Sequence, residues 1–310
     1  MDENRFVEFL RSEFPFKKGS GIGDDSSIVK IDKGFQLITK DVLIEGVHFD
    51  TSWFSPEEIA ARALGVNLSD IAAMGGRPEY FFLGLGFPGH YKGEKLERFF
   101  MSLKKECQIW DVELAGGDLS ASPDNLFISI TMVGTAENPV RRDGALSGDL
   151  IGISRATGGS AVGLELLKKG VDIPFYSGKH KYPDPEIDKG IIFSKYVNSM
   201  IDISDGLMID LGRIMSASGS AGCIDYGNIP VSDDMKEVCR KYDLDVTGLV
   251  LTGGEDFSLL FTITPENQKI LAQTGIVFYI IGEVKDGFGV RAEHNGELVQ
   301  LMVPGFDHFR

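Results

Sequence analysis

The sequence predicts a mixed α/β protein of two domains, and three observations predict it. The chain has 310 residues, about twice the ~150 residues of a typical domain. Strand-like and helix-like runs alternate through both halves. Between the halves the segment Arg141 to Gly148 turns polar and glycine-containing. The boundary is therefore expected there, dividing residues 1–140 from 141–310.

Residues 2 to 14 read as a helix, with Phe6, Phe9 and Leu10 at helical spacing. Strands are expected at Ser26 to Ile31 and Phe35 to Thr39, around the turn-forming Asp32-Lys33-Gly34. Ser55-Pro56-Glu57-Glu58 reads as a capping box opening a helix, which Gly75-Gly76 and Pro78 stop. A strand at Tyr80 to Leu85, a helix at Glu94 to Ile109, a short strand ending at Ala115 and a strand at Leu126 to Val133 complete the first half.

The second half repeats the pattern. It shows a strand at Leu150 to Ile153, helices from Ser160 and at Glu186 to Val197, a strand at Met200 to Ile203 and a helix from Gly206. Strands at Ser258 to Ile263 and Phe278 to Val284 precede a hairpin whose Asn295-Gly296 turn suits type I′.

Composition narrows the function. With 31 Lys and Arg against 46 Asp and Glu, the net charge is −15. No basic block is present, which argues against a nucleic-acid partner. Small cations, or anions escorted by metal ions, suit such a chain better. No apolar run approaches the ~20 residues of a membrane span, and the acidic start MDENRFVEFLRSEF is unlike a signal or transit peptide; a cytoplasmic location is expected. Cys107, Cys223 and Cys239 are scattered and form no CxxC pair, so free thiols are expected rather than disulfides or a thiolate zinc site.

The carboxylates carry the chemistry. Asp24 and Asp25 stand together in GIGDDSS, Asp41 follows a strand, Asp118 ends AGGD, and Asp202 and Asp205 frame IDISDGL. Asp70 lies on one helical stripe with Ile59, Ala63, Val66 and Met74. An ionised carboxylate on a core face is costly unless a cation or good hydrogen bonds compensate. Oxygen-only ligands at strand ends suit Mg²⁺, although an Asp beside Gly or Ser also serves as a turn or cap residue.

Other motifs carry less. Gly84 to Gly89 spells GxGxxG, but Pro88-Gly89 would break the helix of a dinucleotide fold, and a plain turn is preferred. No P-loop or GxSxG is present. His90, His180, His294 and His308 read as surface or loop residues, whereas His48 follows the Asp41 stretch closely. Gly158-Gly159-Ser160 offers backbone N–H groups to a phosphate or simply makes a tight turn.

Taken together, GIGDDSSIV, LITKDVLIEGVHF, NLSDIAAMGGRP, AGGDLS, MIDISDGLMIDLG and LTGGEDFSLLFT resemble the thiamine-monophosphate kinase family, within the wider group of ATP-using enzymes built like aminoimidazole ribonucleotide synthetase. The likeness runs from Gly21 to Phe309. It implies a two-domain α/β fold whose N-terminal domain forms a β-barrel across a homodimer, with the active site in the cleft between the domains. The implied reaction is Mg²⁺-dependent transfer from ATP to thiamine monophosphate.

By motif, Asp25, Thr39, Asp41, Asp70, Asp118, Asp202 and Asp205 would hold several Mg²⁺ ions. Gly117, Asp118, Arg142 and Ser204 would contact ATP, while His48, Glu255 and the position of Val303 would face thiamine monophosphate. No dedicated catalytic base is implied. Lys40 replaces a small hydroxyl residue of the family and places positive charge nearby. Val303 stands where the family often has a stacking aromatic, for which Trp53 or Phe306 are the candidates to substitute. The rivals are a relative acting on another acceptor and a non-catalytic Mg-ATP-binding protein.

Overall fold

The structure, a computed structural model, describes residues 3–299. The first half runs α1 (Glu3–Glu13), β1 (Gly19–Ser20), β2 (Ser27–Lys30), β3 (Phe35–Ile44), α2 (Pro56–Ala73), β4 (Arg77–Phe87), α3 (Glu94–Trp110), β5 (Glu113–Ala121) and β6 (Phe127–Ala136). Its six strands form one sheet in the order β1-β2-β3-β6-β4-β5. Only β4 and β5 are parallel, because α3 crosses over between them. Among the described residues this sheet is open, with β1 and β5 at its edges.

The second half runs β7 (Leu150–Ile153), α4 (Gly159–Lys168), α5 (Pro174–Lys181), α6 (Ile187–Phe193), β8 (Ser199–Asp202), α7 (Leu207–Ser218), β9 (Ala221–Asp225), α8 (Asp233–Lys241), α9 (Val246–Thr252), β10 (Leu259–Ile263), α10 (Pro265–Ala272), β11 (Tyr279–Lys285), β12 (Gly289–His294) and β13 (Glu297–Leu298). A seven-stranded sheet joins these strands in the order β13-β12-β9-β11-β7-β10-β8. The mixed α/β class is as expected, and among the described residues no helix is long and apolar enough to cross a membrane. Asn295 and Gly296 both have positive φ, 53° and 81°, as a type I′ hairpin turn requires.

Two expected strands stop too early. β3 continues past Thr39 because all ten of its residues pair with β6, from Phe35 opposite Ala136 to Ile44 opposite Phe127. Asp41 therefore lies inside a strand. β5 likewise continues past Ala115, pairing Gly116 to Ala121 with Phe82 to Phe87. A Cβ on Gly117 would lie 1.9 Å from the Leu83 carbonyl oxygen, so this glycine marks a close strand approach and not a turn. Gly84 and Gly86 lie within β4, which disposes of the dinucleotide-binding pattern.

The Ser55 capping box is present with both of its hydrogen bonds, and Gly75 follows the end of α2 in the left-handed region at φ 67°. The helix itself departs from the one-stripe reading. Fifteen of its 18 residues are buried, since α3, β3, β4 and β6 of the first half and α5, α6 and β8 of the second all pack against it. A helix buried all round belongs at the centre of a molecule. That position makes α2 the joint between the two sheets and the carrier of Asp70.

One glycine keeps this joint tight. A Cβ on Gly190 of α6 would lie 2.1 Å from the carbonyl oxygen of Ala72. Alanine normally favours a helix over glycine by about 1 kcal/mol, but overpacking costs about 1–3 kcal/mol, and backbone does not yield easily. Gly190→Ala is expected to lower the denaturant midpoint without changing its slope.

Candidate active site

A cavity of about 1230 Å³ opens beside α2, between the two sheets, and Asp41, His48, Asp70, Asp202, Ser204 and Glu255 are among its lining residues. That volume exceeds the 300–1,000 Å³ of a usual small-molecule pocket. It has room for two ligands.

Asp70 and Asp202 line its floor, with Asp25 beside them, and the three each present an oxygen within 4.8 Å of the others. They come from the loop before β2, from α2 and from the end of β8. Thr39 donates its hydroxyl to Asp70, and Ser69 donates to Asp202 at 2.6 Å. Burial first, then the neighbouring carboxylates, pushes Asp70 and Asp202 well above the usual carboxylate range. Asp41 is pushed up to about 6 by burial and by Asp25 and Asp205. Within this chain the acids repel one another, which is the state a bound cation relieves.

The adjacent Asp24 and Asp25 divide their work. Arg142 forks onto Asp25, through Nη2 at 2.6 Å and Nε at 3.4 Å. Asp24 instead accepts the Arg142 backbone N–H at 3.0 Å and faces Arg141 at 3.8 Å. The pair thus ties the first loop to the segment that leads into the second half.

Lys40 does not bring its charge to Asp41. Successive strand residues face opposite sides, and the Lys40 ammonium donates to Ser129 and Thr131 on β6, at 2.8 and 3.1 Å.

Asp205 is held by residues the sequence reading passed over. Arg213 bridges it to Asp210, whose Oδ2 accepts the backbone N–H groups of Ser204, Asp205 and Gly206 at 3.1 Å each. Asp210 is fully buried. The loop carrying Ser204 and Asp205 is therefore built around a carboxylate that never reaches the cavity floor.

The N-terminus of α4 is already occupied. Asp256 accepts from Gly158 N and Ser160 N, the latter at 3.0 Å, so the turn reading of Gly158-Gly159-Ser160 holds and the protein's own carboxylate takes the anion position. Burial pushes Asp256 from 3.8 up to about 6, against these hydrogen bonds. A carboxyl whose folded pKa is raised binds its proton more tightly when folded, so its contribution is complete below pH ~4 and is lost as pH rises through about 6. Asp256→Asn is expected to flatten the fall in thermal midpoint across that window.

On the opposite wall, His48 Nδ1 accepts the Ile44 N–H at 3.0 Å, which leaves Nε2 as the protonated nitrogen. Trp53 lines the same wall, whereas Val303 and Phe306 lie outside the described residues. Glu255 pairs with Arg62 and lies 3.2 Å from His180 Nδ1. Burial works to raise its carboxyl, but Arg62 and His180 outweigh this and hold it at about 2. His180 is only 3% exposed, which corrects its reading as a surface residue: α5, unforeseen in the sequence, carries it inward.

Gly117 and Asp118 do not join this group within one chain. Asp118 pairs with Gly84, and Gly84 with Ser129, the residue that Lys40 contacts. Asp118 therefore shares the outward face of the sheet with Lys40, and β5 is exposed along nearly its whole length.

Comparison with known proteins gives this arrangement a family. Residues 23–136 match the family described as AIR synthase related protein, N-terminal domain. The thiamine-monophosphate kinase of Aquifex aeolicus (strain VF5) is 37% identical over 294 residues, covering 93% of this chain and 92% of the relative. The chain belongs to the thiamine-monophosphate kinase family. A second member, from Pyrococcus horikoshii, is 31% identical and covers 100% of this chain and 97% of its own length. The solved structure of AaThiL complexed with AMPPCP and TMP superposes with a TM-score of 0.90 at 34% identity, covering 99% of this chain and 97% of that one.

Against this family background, Arg62, Asp210 and Arg213 are the residues that motif reading left out. Arg62 carried a signal: it stands at i, i+4 and i+8 with Val66 and Asp70, a charge on the same buried face.

Proposed function

We propose that the chain transfers the γ-phosphoryl group of ATP to thiamine monophosphate, giving thiamine diphosphate and ADP by direct in-line transfer. One observation carries this reading: Asp25 clusters with Asp70 and Asp202, which line a cavity large enough for donor and acceptor, in a chain whose relative was solved with AMPPCP and TMP.

The donor set fits Mg²⁺, being hard oxygen ligands with hydroxyls at hand. Asp25, Asp70 and Asp202 would hold it, with Thr39, Asp41 and Asp205 completing the site for several ions. When bound, Mg²⁺ supplies the positive charge that lets phosphates enter an acidic cleft. The protein's own residues position the reactants. Ser204 lies on the loop fixed by Asp210, and Arg142 anchors Asp25; both would contact ATP. His48 and Glu255 face the acceptor with Trp53 as the aromatic wall.

The acceptor is a phosphate monoester whose second pKa is near ~6. Its oxygen is already a nucleophile at neutral pH, which agrees with a His48 whose Nδ1 is engaged by backbone. No dedicated base is required.

Two domains, 1–140 and 141–310, and a cytoplasmic homodimer belong to the same reading. Val42, Phe82 and Phe127 are 37–45% exposed on the outward face of the first sheet, and edge strand β5 lies open. A second copy closing the barrel would cover them. It would also bring Gly117 and Asp118 to the site of its neighbour, which the outward placement of Asp118 requires if it is to serve as a ligand.

The test measures ATP consumption with thiamine monophosphate, thiamine and an aminoimidazole precursor supplied in turn, with and without Mg²⁺. Turnover is expected only with thiamine monophosphate and Mg²⁺. Turnover with another acceptor alone would reassign the chain to a related reaction, and binding of Mg-ATP without turnover would make it a non-catalytic protein.

A further inference from the structure

Glu255 is fixed more firmly than hydrogen bonding to a substrate needs. Its backbone lies in the left-handed region, φ 65°, which a non-glycine residue keeps only where its surroundings hold it. They do: its N–H donates to Ser204 O at 2.7 Å. A Cβ on the preceding Gly254 would lie 2.4 Å from that same oxygen.

The side chain is clamped as well. Arg62, 1% exposed, donates Nη2 to Glu255 Oε1 and Nη1 to the His180 carbonyl at 2.5 Å. Its buried Nε has no hydrogen-bond partner among the described residues. His180 Nδ1 lies 3.2 Å from both Glu255 Oε2 and Ser160 Oγ. Phe54 backs the cluster, its ring centroid 5.7 Å from the guanidinium and 5.6 Å from the imidazole. Each carboxylate oxygen thus has one lone pair engaged and one left over, and Glu255 is 29% exposed, toward the cavity.

We infer that Arg62 and His180 are positioning residues that aim Glu255 into the cavity as a hydrogen-bond acceptor, so that this wall selects an acceptor substrate by its N–H donor and not by its positive charge. The Arg62 cation offsets the Glu255 anion at contact distance, leaving little net charge to attract the thiazolium from afar. What remains is directional: free lone pairs in a fixed place, suited to the amino group on the pyrimidine of thiamine monophosphate. A buried acceptor left facing a group with no hydrogen to give rejects that ligand. The inference rests on the proposed function and names how that site tells acceptors apart.

The experiment compares kcat/KM for thiamine monophosphate with that for an analogue whose pyrimidine amino group is replaced by hydrogen, in the intact protein and in Arg62→Lys, Arg62→Met and His180→Asn. The intact protein is expected to prefer the amino compound by about 10- to 100-fold, the range of one hydrogen bond to a charged group. Arg62→Met is expected to shrink this preference to about threefold or less by raising KM for thiamine monophosphate, with KM for ATP unchanged. Arg62→Lys, which keeps the charge, retains part of it, and His180→Asn reads the same ratio should Arg62→Met not fold.

A folded Arg62 or His180 variant that slows both acceptors equally, keeping the ratio, would show a purely structural role and overturn the inference. Failure of the intact protein to discriminate would overturn it too. Absence of any turnover with thiamine monophosphate would overturn the proposed function and this inference together.

Discussion

Asp70→Asn is expected to lower kcat/KM by about 10²- to 10³-fold, the usual effect of removing one preorganised electrostatic group, while raising the stability of the metal-free protein. The two signs have one cause. Asp25, Asp70 and Asp202 lie within 4.8 Å of each other, and unit charges about 5 Å apart repel by about 3 kcal/mol at an effective dielectric near 20. Protonation would relieve some of this, the direction in which burial and the neighbouring carboxylates push Asp70 and Asp202. A gain of about 1–2 kcal/mol is left for the neutral amide, which keeps an oxygen to accept from Thr39. Mg²⁺ reverses the order, since a ligand that binds the folded state stabilises it in proportion to its affinity. Thermal midpoints of the two proteins should therefore cross: the variant higher without Mg²⁺, the parent higher with it. Full activity in the variant, or a lower midpoint for it without the metal, would make Asp70 a structural residue.

The acidic centre was legible because its signal is local. Asp70 stands on an apolar helical stripe behind a capping box, and Asp202 and Asp205 stand at and just after the end of a short strand, so spacing alone placed them on defined elements. Residues supplied by elements without such a signal were not legible. His180 sits on α5, an eight-residue helix of PFYSGKHK, where no apolar stripe or capping side chain marks a helix. Short helices α8 and α10 did carry Ser232 and Thr264 caps, yet each spans fewer than ten residues, and tertiary packing rather than propensity sustains helices that short. Asp210 was hidden for another reason. Its partners are backbone N–H groups four to six residues before it, and nothing in the letters SDGLMID tells whether the carboxylate folds back onto the loop or faces the cavity.

Register was the least legible feature, and it bears most on function. The short strand is expected to end at Ala115, before the Gly-Gly of AGGDLS, and only the pairing with β4 shows it continuing with Asp118 on the outward face. That same register decides what a dimer would do. Asp118 stands on the face opposite Thr39 and Asp41 and does not line the cavity that holds Asp70, which favours a site on a neighbouring chain.

Mixing two inactive variants tests this directly. If the chain forms the proposed homodimer, Asp118→Asn and Asp70→Asn should each be strongly impaired on their own, by about 10²-fold or more. If Asp118 acts in its own chain, every site in a mixed dimer carries one defect and the mixture stays inactive. If it acts across the interface, a mixed dimer gathers both substitutions into one site and leaves the other intact. Random exchange makes half of the dimers mixed, each with one of two sites working, so about a quarter of full activity should return. Recovery on mixing separates the two arrangements because neither variant alone, and no change in overall stability, restores turnover. Mixed dimers verified by mass and still inactive would place Asp118 outside the partner's site and confine phosphoryl transfer to the residues of a single chain.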